Sequence, residues 1–313
     1  MRKGSVQLRN QRRTLHPAFA TLTSTLSPEG RGKNVFVRSE WVRSIFAVFA
    51  ILTLALTGAE PAVEKKPEGI VIRAVKNWQA QQADVDKVLY SAAGELFCNF
   101  PECKLNPIEV EPKGGPITLY RRGAAGQYLV RLDTGGTFWS QYAYQFSHEL
   151  CHILCKYDED DHHQKWFEES LCELASLYVL RRMSKNWKTE PPYPNWKSYS
   201  VQLNKYAEER IATAQLPKEK TFDQWYGENA ADLNKNAVDR ERNTVVAVAL
   251  LDLFEKAPES WESVQWLNTA KLSKLHSFKD YLQFWQRNCP EKHKAFVACI
   301  ASRFAIALES EKK

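Results

Sequence analysis

Twelve of the thirteen glycines lie before residue 137, and only Gly227 follows. Turns and strand ends tolerate glycine, whereas helix interiors are weakened by it. The chain is therefore expected to turn often in front and to run in long helices behind. In front, residues 69–75, 108–111, 117–120 and 127–132 carry β-branched and aromatic residues, and the glycines at 114–115 and at 123 and 126 separate the last three. Residues 84–97 read as a helix between the first two strands. Beyond residue 137, helices are expected over the Gly-free and Pro-free runs around 138–154 and 166–180, and then near 197–213, 239–257, 260–270, 277–288 and 291–308. The expected fold is α+β: a sheet-rich lobe (60–137) and a mostly helical lobe (138–313) within one domain, long enough for a real core.

Residues 1–59 read as a leader. Residues 1–43 hold nine Lys/Arg against Glu29 and Glu40, a net of +7, and residues 45–56 form an apolar stretch of 12 followed by Thr57-Gly58-Ala59. A basic flank, a short apolar run and small residues are the pattern of a secretory signal, with cleavage expected after Ala59. Twelve residues are too few to span a bilayer comfortably, so no stable membrane span is expected after cleavage, and a signal anchor is the alternative. Residues 1–34 are polar and Ser/Thr-rich. They suggest a true start nearer Val35 or Val37, or else a disordered arm. The leader also accounts for the basic charge: the chain total of +6 leaves about −1 beyond it. No broad basic surface argues for nucleic-acid binding. The expected location is secreted or periplasmic.

The residues that carry chemistry begin at His148-Glu149-Leu150-Cys151-His152. On a helix, the four-residue spacing places both imidazoles on one face, as two ligands of a tetrahedral Zn²⁺ require. Glu149 stands beside the first as a general base for a zinc-activated water. Gly135-Gly136-Thr137 reads as the turn before this helix, with Thr137 or Ser140 as its cap. After it comes Trp166-Phe167-Glu168-Glu169-Ser170-Leu171-Cys172-Glu173, the start of a second helix expected to pack on the first.

These two segments resemble the gluzincin metallopeptidases, in which HExxH is followed by a helix bearing a Trp-Leu/Phe-x-Glu-Gly-x-Ala-like segment. Trp166, Phe167, Glu169, Ser170 and Cys172 fall on that pattern in order. The resemblance implies a zincin-like fold, Glu169 as third zinc ligand, and Glu173, one turn on, as the acid that holds a ligating histidine. It covers roughly Thr137 to Tyr178 well, the strands loosely and the later helices hardly at all. The interval of 16 residues between His152 and Glu169 is shorter than is familiar in the clan, which leaves Glu168 open as the alternative ligand. A metzincin-like reading would use Asp158 instead, but Cys155 stands where that arrangement needs a turn-making Gly. Asp158, Asp160, Asp161, His162 and His163 are expected to form a solvated acidic loop.

The resulting expectation is an exported zinc-dependent metallopeptidase, an endopeptidase acting on peptide or protein substrates. His148, His152 and Glu169 would hold the metal, Glu149 would move the proton, and Glu173 would support. Its rivals are a non-catalytic zincin-like envelope or binding protein and a metallohydrolase acting on a non-peptide bond. A base at position 149 argues against the first, because a structural zinc needs none. Tyr226, Arg240, Arg242 and His276 are candidates for oxyanion stabilisation by position. Seven cysteines allow Cys98–Cys103 and Cys289–Cys299 bridges and a meeting of Cys151 or Cys155 with Cys172, with at least one thiol left over. Cys155 as a metal ligand is a minor alternative to simple packing.

Overall fold

A computed structural model describes residues 67–75, 77–157 and 164–309. The expected leader, its cleavage point and the acidic loop at 158–163 lie outside the described residues.

Strand β1 (Ile72–Ala74) leads through helix α1 (Gln82–Phe97) to β2 (Ile108–Pro112), followed by β3 (Ile117–Thr118) and β4 (Tyr128–Leu132). The four strands form one sheet in the order β1-β2-β4-β3. β1, β2 and β4 run parallel, in a register that pairs Ile72 with Ile108 and Val110 with Val130, while the two-residue β3 lies antiparallel at the edge. The parallel pair β1 and β2 needs a crossover, and α1 supplies it. Its Val85, Val88, Leu89, Ala92 and Leu96 are fully buried at helical spacing. The turn before β3 comes so close to β4 that a Cβ on Gly115 would sit 2.1 Å from the Arg131 carbonyl oxygen. Only glycine permits that approach, and it sets β3 against the rest of the sheet.

The remainder is helical: α2 (Trp139–Leu154), α3 (Lys165–Asn186), α4 (Ser200–Thr213), α5 (Phe222–Lys235), α6 (Arg240–Lys256), α7 (Phe278–Asn288) and α8 (Glu291–Arg303). An α+β chain with a small sheet and a mostly helical remainder is thus what forms. No helix among the described residues is long and apolar enough to cross a membrane. α3 is central, packed by α1, α2, α4 and α6. Its N-terminal turn is fixed by Trp166 and Phe167, whose rings meet Phe278 at 4.7 and 5.1 Å and also contact Phe304. Truncating either ring would cost about 3–5 kcal/mol.

Four local expectations need correction. α5 was not foreseen, since its surface is polar; its signal is the reciprocal cap between Thr221 and Gln224. The stretch expected as a helix at 260–270 is a 3-10 segment over Pro258–Trp266. The last helix stops at Arg303 rather than near 308. Neither Thr137 nor Ser140 caps α2: Phe138 occupies the cap position with no side-chain bond, and the Ser140 amide donates to Tyr199 Oη at 3.3 Å. All seven cysteines are free thiols, so neither of the two bridges that the spacing allows is formed. The Cys98 and Cys289 thiols instead donate to the carbonyls of Glu95 and Gln286 on the helices they terminate.

Candidate metal centre

Between Tyr142 and Cys155, every residue is buried except His148 and His152. Between Trp166 and Leu180, every residue is buried except Glu169. Two core helices thus reach toward solvent at three positions, and all three carry metal-ligand side chains.

Those side chains converge. One oxygen of Glu169, Oε2, lies 3.3 Å from His148 Nε2 and 3.7 Å from His152 Nε2, with the two rings 5.0 Å apart between centroids. Ligands bonded at 2.0–2.2 Å around a tetrahedral ion stand about 3.3–3.6 Å apart. The spacing of this carboxylate oxygen to each imidazole nitrogen matches that edge closely. The donor set of two imidazoles and a carboxylate is likewise one that zinc takes. A second grouping overlaps it: His148, His152 and the fully buried Cys172 offer donor atoms within 4.8 Å of one another. The described residues therefore assemble a possible metal-binding cluster around the two histidines, with Glu169 on its solvent side and Cys172 in the core.

The other ring nitrogens face acids. His152 Nδ1 lies 2.6 Å from Glu168 Oε1, and His148 Nδ1 lies 3.9 Å from Glu173 Oε2. At 2.6 Å the Glu168 carboxylate holds His152 Nδ1 protonated and leaves the Nε2 lone pair for a metal. Glu168 and Glu169 therefore take opposite sides of the same imidazole. These acids are themselves held. Asn268 Nδ2 donates to Glu168 Oε2 at 2.7 Å and is oriented by the Tyr281 hydroxyl, which donates to its Oδ1 at 2.7 Å. Tyr144 Oη donates a short hydrogen bond to Glu173 Oε1, and the Thr244 hydroxyl lies 3.4 Å from the same oxygen. Burial and the Glu173 charge push the Tyr144 hydroxyl well above its ordinary pKa, so it remains a donor. The Arg210 guanidinium sits 5.1 Å from the Tyr144 ring centroid, an attraction that polarises the phenol toward donation.

Without a metal, burial disfavours the charged His152, but Glu169 and Glu168 outweigh it and raise its pKa to about 10. The pocket is built to hold positive charge. Glu149 is 3 % exposed, and the Thr118 hydroxyl lies 2.8 Å from its Oε2 and 3.2 Å from its backbone oxygen. The edge strand β3 thus reaches the middle of α2. Tyr157 stands beside His152 at 6.4 Å between ring centroids and donates to the Leu119 carbonyl at 2.7 Å, tying the chain after β3 to the end of α2.

Several of these partners escaped the sequence. Tyr144 was within reach, being one turn before His148 on the same face. Thr118, Asn268 and Thr244 lie far from the motif in sequence, and no local pattern marks them. The oxyanion candidates have partners of their own. Tyr226 packs in the aromatic cluster of Trp166, Phe278 and Phe304, and Arg242 is bound to Asp232 and Asp239. His276 Nδ1 accepts the Ser273 amide. Arg240 opens α6, and its carbonyl accepts the Thr244 hydroxyl at 2.6 Å. Comparison with protein-family models, curated proteins and solved structures returned no match.

Proposed function

We propose that the chain is a zinc-dependent metallopeptidase of gluzincin type, with a zincin-like arrangement of sheet edge and paired helices. The observation that carries this reading is that His148, His152 and Glu169 are the only partly exposed positions in two buried helical stretches, with one Glu169 oxygen between the two Nε2 atoms. Cys172 is the other available third donor, but it lies fully buried and Glu169 faces solvent, where substrate must arrive. His148, His152 and Glu169 would hold the ion.

Bound zinc supplies Lewis acidity that acidifies water and polarises a carbonyl. The chain's own residues do the rest. Glu149 takes a proton from the attacking water and returns it to the departing amine. The Thr118 hydroxyl fixes the Glu149 carboxylate, Glu168 accepts from His152 Nδ1, and the Glu173 carboxylate stands 3.9 Å from His148 Nδ1. A peptide substrate is favoured because β3 is the terminal strand of the sheet and bears Thr118, so an extended chain laid along that edge would pass beside Glu149. Endopeptidase action and export, the latter implied by the leader, belong to the same proposal.

Proteolysis assays of the zinc-loaded chain test it. Chelation should abolish activity and added zinc should restore it. Glu149→Gln should keep its zinc while activity falls by about 10²–10⁴-fold. Full activity in Glu149→Gln would overturn the assignment of the base, and chelator-insensitive activity would overturn the metallopeptidase.

A further inference from the structure

The hairpin that follows β3 carries an arginine that the proposed chemistry does not use. Past Thr118 the chain keeps pairing with the approach to β4: the Leu119 amide donates to the Leu129 carbonyl and the Gly123 amide to the Gln127 carbonyl, both at 2.9 Å. Three side chains at alternate positions of this stretch meet residues of α2 or of the chain just after it. The Thr118 hydroxyl meets Glu149, and the Tyr120 ring stacks on Tyr157 at 5.7 Å between centroids. The Arg122 guanidinium carbon lies 5.6 Å from the centre of the same Tyr157 ring, which in turn stands beside His152. One tyrosine ring thus separates Arg122 from a histidine of the metal cluster.

Given the peptidase reading of the metal centre, on which this rests, we propose that Arg122 determines specificity by receiving an acidic side chain of the substrate, Asp or Glu, close to the bond that is cut. The guanidinium carbon lies 3.4 Å from the centre of the Tyr128 ring, a van der Waals contact that requires a flat approach. Its five N–H donors lie in the guanidinium plane. Stacking therefore occupies the face and leaves the edge open to a planar carboxylate, which such a fork binds in bidentate fashion. Arg122 is exposed, and among the described residues no carboxylate pairs with it. Arg131, on the neighbouring strand, is instead bound to Glu111 at 3.1 Å. Held flat on a ring, the Arg122 fork gives up little rotamer freedom when a carboxylate arrives. The reach also fits. A strand rises about 3.3 Å per residue, so a peptide laid along this edge and attacked beside Glu149 passes Arg122 within about four residues of the scissile bond. A guanidinium that only pinned the hairpin would be indifferent to the charge of the substrate.

The test compares zinc-loaded, full-length wild type with Arg122→Gln and Arg121→Gln on short fluorogenic peptides in which a single Glu or Gln is moved from position to position. In the wild type, kcat/KM should favour Glu over Gln by about 10-fold or more at one position, the worth of a charge-assisted hydrogen bond. Arg122→Gln should bring that ratio close to one, and Arg121→Gln, which alters the exposed neighbour of the same charge, should keep it. A wild-type ratio near one at every position, or a preference that survives Arg122→Gln whatever its overall activity, would overturn the proposal. Binding of the same peptides, end-labelled, to zinc-loaded Glu149→Gln reads the contact without turnover by fluorescence polarisation. The Glu peptide should bind about 10-fold or more tightly than its Gln counterpart, and adding Arg122→Gln should erase the difference. Peptides that bind with this preference but are never cut by the wild type would sink the peptidase reading and leave the carboxylate site standing. Equal binding of the two peptides would sink the carboxylate site.

Discussion

Among the described residues, imidazoles meet carboxylates both at a closed, buried pair and at a cluster that opens to solvent. On α8, His293 is 2 % exposed and its Nε2 lies 2.9 Å from Glu262 Oε2, while Lys292 pairs with the same oxygen from the surface. That arrangement has one acid and two bases, closed on itself. Between α2 and α3, four carboxylates (Glu149, Glu168, Glu169 and Glu173) surround two imidazoles, and one carboxylate oxygen faces both Nε2 atoms. The lesson is that burial and a short His–Glu distance do not make a site. Convergence does: an excess of acid, two lone pairs aimed alike, and an opening to solvent at those positions alone.

The sharpest way to break the comparison is to remove the convergence. Glu169→Gln should lower zinc affinity by more than the 10–100-fold that a supporting partner is worth, as read by competition with a chromophoric chelator. The supporting acids come next. Glu173→Gln and Asn268→Ala should each cost about 10–100-fold in zinc affinity, with Asn268 acting through Glu168. At the closed pair, Glu262→Gln should leave zinc untouched and lower stability by about 1–3 kcal/mol in denaturant unfolding, because the charged acceptor shared by His293 and Lys292 becomes a neutral amide.

The smallest effect is a pH dependence. Burial opposes the charge on Glu262, but hydrogen bonds from Lys292 and His293 prevail and hold its carboxyl below the ordinary 4.5. A depressed folded pKa gives stability that is present above 4.5 and lost as pH falls through the lower folded value. Glu262→Gln should therefore flatten the acid limb of the stability profile in chemical unfolding. An unchanged limb would remove Glu262 from the account of acid sensitivity.

How far all this was legible from sequence depends on range. Gly spacing placed the sheet before the helices, and the four-residue repeat placed His148 above His152, since both follow from local geometry. The choice between Glu168 and Glu169 was not legible. Adjacent helical residues diverge by about 100°, so the two acids reach His152 from different sides, and only the packing of α3 decides which of them meets Nε2. Trp166 and Phe167 set that rotation by docking on α7. Thr118 reaches Glu149 because Gly115 lets β3 come close to β4, a long-range fact that periodicity cannot carry. The helix spacing aligns Cys151 with Cys155, whose sulfurs stand 3.9 Å apart.

The central claim is that His148, His152 and Glu169 together make a metal centre. Zinc titration by calorimetry on metal-free wild type, His148→Gln and Glu169→Gln tests it most directly. The account predicts one tight equivalent in the wild type and none of comparable affinity in either variant. Undiminished stoichiometric binding in Glu169→Gln would contradict it and turn attention to Cys172 as the third donor.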